Sequence, residues 1–90
     1  MNIYELVFIT KDGDIALLKN TEKIISSFEG KVTSQEDLGM KQFAYKIKGL
    51  TQGSYHVWKI QLMQNKIKEL KNKFNLEEQI IRYLLLKNED

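Results

Sequence analysis

Four residues, Lys11-Asp12-Gly13-Asp14, separate two incompatible hydrophobic periods, and this switch narrows the folds open to the chain more than any other feature. Before it, Tyr4, Leu6 and Phe8 alternate with Glu5 and Val7, the period-two pattern of a strand rich in aromatic and β-branched residues. After it, Leu17, Leu18, Thr21, Ile24, Ile25 and Phe28 fall at i, i+1, i+4, i+7, i+8 and i+11, one stripe of an α-helix. Asp14 suits the helix N-cap, where a carboxylate accepts from free backbone amides, and Gly30 marks the expected stop.

The same strand-to-helix change then recurs. Residues 31–48 read as extended, with Phe43, Tyr45 and Ile47 alternating with Ala44, Lys46 and Lys48, and with Gly39 signalling a bulge. The patch Gly49-Leu50-Thr51-Gln52-Gly53 is expected to turn the chain into residues 54–63, where His56, Trp58, Ile60 and Leu62 alternate with Tyr55, Val57, Lys59 and Gln61. Phe43, Tyr45, Ile47, Trp58, Ile60 and Leu62 are then the core face of a hairpin, and Lys46, Lys48, Tyr55, Val57 and Lys59 its other face. A second helix is predicted from Ile67, Leu70 and Phe74, with Asn65 and Asn75 as its caps. Residues 80–86 form a final strand, and Lys87-Asn88-Glu89-Asp90 is expected to fray. The order β-α-β-β-α-β predicts an α+β, ferredoxin-like fold over residues 1–90 as one domain: a four-stranded antiparallel sheet with two helices on one face.

The composition allows a core but little enclosed chemistry. Of 90 residues, 42% are hydrophobic and the 29% that are charged are dispersed, as in an ordered domain too small for a deep active site. With no cysteine, thiol catalysis, disulfides and zinc-thiolate sites are excluded. No apolar run is long enough to span a bilayer, and residues 1–5 lack the pattern of a secretory signal, so a soluble chain without membrane attachment is expected. His56 is the only histidine and reads as a hydrogen-bonding strand residue at the edge of the core. The pairs Glu36-Asp37 and Glu77-Glu78 read as solvated charges, or as a helix-end cap in the second case, because neighbours on a strand point to opposite faces. No glycine-rich phosphate loop is present, and the acylphosphatase chemistry found on this fold needs an arginine where Lys11-Asp12-Gly13-Asp14 stands. No enzyme, cofactor, metal or small-molecule substrate is expected.

Binding is the better-supported class. The net charge is only +2, so an anionic partner must be held by local clustering, for instance by Lys46 and Lys48 beside Tyr55 and Val57. From the pattern alone, solvation of an open sheet face explains the same alternation.

An ordered set of short matches shifts that balance. Tyr4-Glu5, Gly30-Lys31-Val32, Leu38-Gly39, Ala44-Tyr45, Ile47, Gln52-Gly53 with Tyr55, Phe74-Asn75-Leu76 and Ile81-Arg82-Tyr83-Leu84-Leu85-Leu86-Lys87 make the chain resemble the bacterial-type small ribosomal subunit protein six family over nearly its whole length. The resemblance implies a structural protein that binds the central domain of small-subunit ribosomal RNA together with ribosomal protein eighteen of that subunit. It implies RNA contacts at Lys41, Lys46, Lys48, Arg82 and Lys87, and a protein-partner surface at Tyr55, Val57, Leu84 and Leu86. It implies a ribosome in the bacterial cytoplasm or, alternatively, the mitochondrial matrix. Where relatives often carry two adjacent arginines, this chain has Lys41-Gln42 and Ile81-Arg82, which removes bidentate phosphate donors. The competing expectation is a regulatory or oligomeric ferredoxin-like module that binds a ligand or pairs through its sheet, and a third is a sequence-independent RNA binder outside the ribosome.

Overall fold

The computed structural model describes residues 2–87. Strand β1 (Asn2–Thr10) is followed by helix α1 (Ile15–Ser27), the long strand β2 (Lys31–Ile47) and strand β3 (Leu50–Leu62). A 3-10 turn at Gln64–Lys66 leads into helix α2 (Ile67–Asn75), and strand β4 (Ile80–Lys87) closes the sheet. The strands lie in the order β2-β3-β1-β4 and every pairing is antiparallel, so this is the ferredoxin-like sheet expected.

The two periods sort the side chains as the pattern demands. Tyr4, Leu6 and Phe8 of β1 and Trp58, Ile60 and Leu62 of β3 are buried in one core cluster with Ile24 and Ile25 of α1 and Leu70 and Phe74 of α2. Both helices therefore cover the same sheet face. Asp14 caps α1, its carboxylate accepting from the Ala16 amide at 3.1 Å.

Helix ends and turns depart from expectation in several places. Helix α1 stops at Ser27; the left-handed residue is Glu29 (φ 64°), and the Gly30 amide donates to the Ile25 carbonyl at 3.0 Å, closing the end two residues before the predicted stop. Asn65 does not cap α2, because the 3-10 turn occupies that position and the cap residue is Lys66, whose side chain makes no capping bond. Lys87 is paired with Tyr4 as the last residue of β4 instead of fraying, while residues 88–90 of the expected frayed end lie outside the described residues. Gly39 (φ 82°) does mark a register shift, between Asp37 and Gly39.

His56 organises a buried polar chain that ties three segments together. It is 1% exposed and stacks on Phe8 with ring centroids 4.7 Å apart. A carboxylate can only accept, so Nδ1–H points at Asp37 Oδ1 (2.5 Å); the Thr10 hydroxyl is hydrogen-bonded to Nε2 (2.9 Å) and accepts the Gly13 amide (3.0 Å). The Trp58 indole N–H also donates to Asp37 Oδ1, at 3.4 Å. Asp37 is therefore not the freely solvated charge expected from Glu36-Asp37: it pins edge strand β2 to β3 and β1. Because every member is satisfied, removing one leaves its neighbours unpaired in a low-dielectric site. Thr10→Val, which keeps the shape but removes the hydroxyl, is expected to destabilise the fold by about 2 kcal/mol, measured as a lower urea midpoint at unchanged slope.

Candidate nucleic-acid and protein interface

The sheet face away from the helices is built by the odd-numbered residues of β1. Their register partners set three rows across it: Tyr55-Ile9-Arg82, Val57-Val7-Leu84 and Lys59-Glu5-Leu86. The centre of this face is apolar, with Leu84 54% exposed and Leu86 46% exposed. Charge appears at its ends, where Lys59 stands opposite Glu5 and Arg82 beside Ile9. All four expected protein-partner positions, Tyr55, Val57, Leu84 and Leu86, thus share this open face, and Arg82 borders them.

Above the upper row the sheet thins to two strands. β1 last pairs with β3 at Thr10–Ser54, so residues 40–53 continue as a hairpin arm without a third strand. Its tip is Lys48-Gly49, with positive φ at both residues (49° and 78°) and Ile47 paired directly with Leu50. That is the requirement of a type I′ two-residue turn, whose twist matches that of the flanking strands. The expected turn at residues 49–53 is therefore corrected: β3 already begins at Leu50, and Lys48 stands in the turn and not on a strand face.

The register also breaks within the arm. Gln42 pairs with Gln52 and Ile47 with Leu50, so residues 43–46 stand opposite Thr51 alone. Strict alternation cannot survive such an excursion. Tyr45, expected in the core, is 85% exposed. Phe43, also expected on the core face, lies instead on the open side, its ring folded over Gly53 and 6.1 Å from the Tyr55 ring. The close approach is possible because residue 53 has no Cβ: one built there would sit 2.7 Å from Ile9 Cγ2 and 2.8 Å from Phe43 Cζ. Gly53→Ala is expected to displace Phe43, expose Ile9 and cost about 2 kcal/mol, read as a lower melting temperature together with faster amide exchange in the arm.

Hairpin residues 42–47, with Tyr55 and Arg82, line an open cleft of about 340 Å³. Lys48 at the tip borders a second cleft with Asn75, Ile81 and Arg82, so the arm curls across the end of the sheet toward β4. The arm and Arg82 thereby bring four of the five expected RNA-contact residues, Lys41, Lys46, Lys48 and Arg82, to one end of the molecule. Lys87 is not among them. It pairs with Tyr4 on the helix side and borders a cleft with Ile67, Lys68 and Lys71.

Residues 40–53 contain three lysines and no acid. Against +2 for the whole chain, this arm of +3 leaves every other residue together at −1. Residues 64–75 also carry +3, from four lysines and Glu69, so the arm is one of two basic segments and differs in having no acid. Sequence patterning missed the exposed aromatic at its centre, Tyr45. The signal that finds it is Gly39: the register shift there sets Gly39 and Lys41 opposite Tyr55 and Gly53, so the odd positions that follow leave the core face.

The Thr10–His56–Asp37 chain has the order of a nucleophile triad but not its access. Thr10 is 0% exposed and its hydroxyl is already shared between His56 and Gly13, so no substrate reaches it. Among the described residues, no group of three or more histidine, aspartate or glutamate side chains is placed to hold a metal ion.

The family model for ribosomal protein S6 matches residues 3–87. Small ribosomal subunit protein bS6 of Rickettsia prowazekii is 34% identical over 93 residues, covering 97% of this chain and 76% of that one. Its counterpart in Blochmanniella floridana is 34% identical over 94 residues, covering 100% of this chain and 78% of that one. The Mesoplasma florum protein of the same name is longer, and the chain spans 31% of its length. The crystal structure of 30S ribosomal protein S6 from Thermotoga maritima superposes with a TM-score of 0.86 at 30% identity, over 97% of this chain and 87% of that one.

Proposed function

The chain belongs to the ribosomal protein S6 family of the small ribosomal subunit, and from that premise we propose that it binds the central domain of small-subunit ribosomal RNA jointly with ribosomal protein eighteen. The observation that carries this reading is the adjacency of two unlike surfaces. An acid-free lysine arm adjoins an apolar sheet face, and phosphate and a protein side chain can be met at once. In this reading Lys41, Lys46, Lys48 and Arg82 meet phosphates, and Tyr55, Val57, Leu84 and Leu86 receive the protein partner. Lys87, on the helix side, would meet a different RNA segment.

The charge arithmetic explains why a partner is needed. An arm of three lysines and one nearby arginine neutralises few phosphates, and lysine lacks the bidentate fork. A basic companion docked on the open face adds contacts without adding repulsion within this chain. The protein then positions RNA through its backbone more than it reads bases. The site of action is the ribosome of a bacterial cytoplasm.

Sedimentation of native lysate tests the assignment. The protein is expected to travel with small subunits and to crosslink there to central-domain RNA; its persistent absence from them would sink the proposal. The apolar row Val57-Val7-Leu84, half-buried at both valines and exposed at Leu84, also suits a second copy of the chain, which is the oligomeric-module reading. Sedimentation equilibrium separates the two, since the ribosomal reading expects a monomer in the absence of RNA and partner.

A further inference from the structure

We infer that Tyr45 is a stacking platform for one unpaired RNA base, with Lys46 and Arg82 holding the phosphates on either side of it. This rests on the arm being an RNA-binding surface and assigns it a ligand class: a single-stranded nucleotide, not the flank of a duplex. Tyr45 is 85% exposed, the highest value of any large apolar or aromatic side chain on the arm. No aromatic neighbour stacks on its ring, whereas Phe43 and Tyr55 pair with each other behind it. It lies in the residue 43–46 excursion, beyond the register shift at Gly39 that takes the odd positions off the core face, and no packing requirement of the fold explains a tyrosine at this position.

The surroundings match the chemistry of a nucleotide. Hairpin residues 42–47, Tyr55 and Arg82 line a cleft of about 340 Å³ open to solvent. Among the described residues, its charged lining groups are Lys46 and Arg82, both cationic. An aromatic face beside cations and away from any acid suits a base whose phosphates must be neutralised. A duplex keeps its base faces stacked on each other and offers a protruding ring no partner; a splayed nucleotide offers its whole face. A protein partner would instead bury the ring's edge and hydroxyl in an apolar pocket, and the cations would then be desolvated at a cost.

The test uses the full chain with a fluorescein-labelled decauridine and, separately, a blunt RNA duplex of equal length, at low salt. Wild-type protein is expected to prefer decauridine. Tyr45→Phe should bind it nearly as well, and Tyr45→Leu about tenfold more weakly at an unchanged salt slope. Because the side chain is exposed, both variants should melt with the wild type. Tyr45→Leu binding decauridine as tightly as wild type, or a wild-type preference for the duplex, overturns the inference. So does a crosslink from Tyr45 to a protein in purified small subunits. Binding to a central-domain ribosomal RNA fragment, with ribosomal protein eighteen present, is measured in parallel. Failure of the wild type to bind that fragment alone would remove the proposed RNA-binding role while leaving the stacking site standing, and intact fragment binding by Tyr45→Leu would do the reverse.

Discussion

Replacing Trp58 by alanine is expected to lower the unfolding free energy by about 4 kcal/mol, the largest stability loss from any single truncation in this chain. Trp58 is 0% exposed at the centre of β3 and faces Leu6 of β1 across one ladder and Gln35 of β2 across the other. Phe8 meets its ring edge-on at 4.9 Å between centroids. Truncation therefore removes apolar burial, leaves a cavity between strand and helix layers, and deletes one donor to Asp37. A domain of this size holds on the order of 5–10 kcal/mol in total, so the variant should be near its folding threshold at physiological temperature. Urea unfolding followed by far-ultraviolet circular dichroism measures the loss. A decrease below about 1 kcal/mol would mean that the helix layer closes over the void far better than the packing suggests.

Charge reversal at the arm should have the largest effect on function while leaving the fold alone. Lys46 and Lys48 are both exposed, one in the residue 43–46 excursion and one in the turn, so Lys46→Glu with Lys48→Glu should change stability by no more than about 0.5 kcal/mol. The arm then changes from three positive charges to one positive and two negative. Two phosphate contacts are lost and their counterions are no longer released. Binding of the ribosomal RNA fragment is expected to weaken by about 100-fold at low salt, and the slope of log K against log salt to flatten by about 1.5. Titrations at several salt concentrations give both numbers from one data set. An unchanged slope would move the RNA surface off the arm, and Lys19→Glu, an exposed lysine of helix α1 outside the proposed contacts, is the matched control.

Much of the architecture was legible because the determining interactions are local or face-wide. The step from period two to period 3.6 at Lys11-Asp12-Gly13-Asp14 specifies a strand and then a helix before any tertiary contact forms. Asp14 announces its own role, since a cap needs only its own side chain and an amide two residues on. On β3, Trp58, Ile60 and Leu62 were readable as core because that strand is flanked on both sides and its alternation has nowhere to drift. Asp37 was not readable. Its partner His56 is nineteen residues away, and only the fold brings a strand-edge carboxylate to a buried imidazole.

The hairpin arm shows the division most plainly. By itself, the sequence determined that residues 40–48 are extended and that residues 40–53 are aromatic and basic without an acid, because residue type and local period set those properties. Which way each side chain points was decided only by the tertiary structure. β1 ends at Thr10, the remaining two strands lose the neighbour that would keep them regular, and four residues of β2 bulge opposite Thr51. One slip in register exchanges the faces of a strand. The shift at Gly39 already sets Lys41 opposite Gly53, so Phe43 follows onto the open side over Gly53, and the bulge beyond it leaves Tyr45 the most exposed ring on the arm.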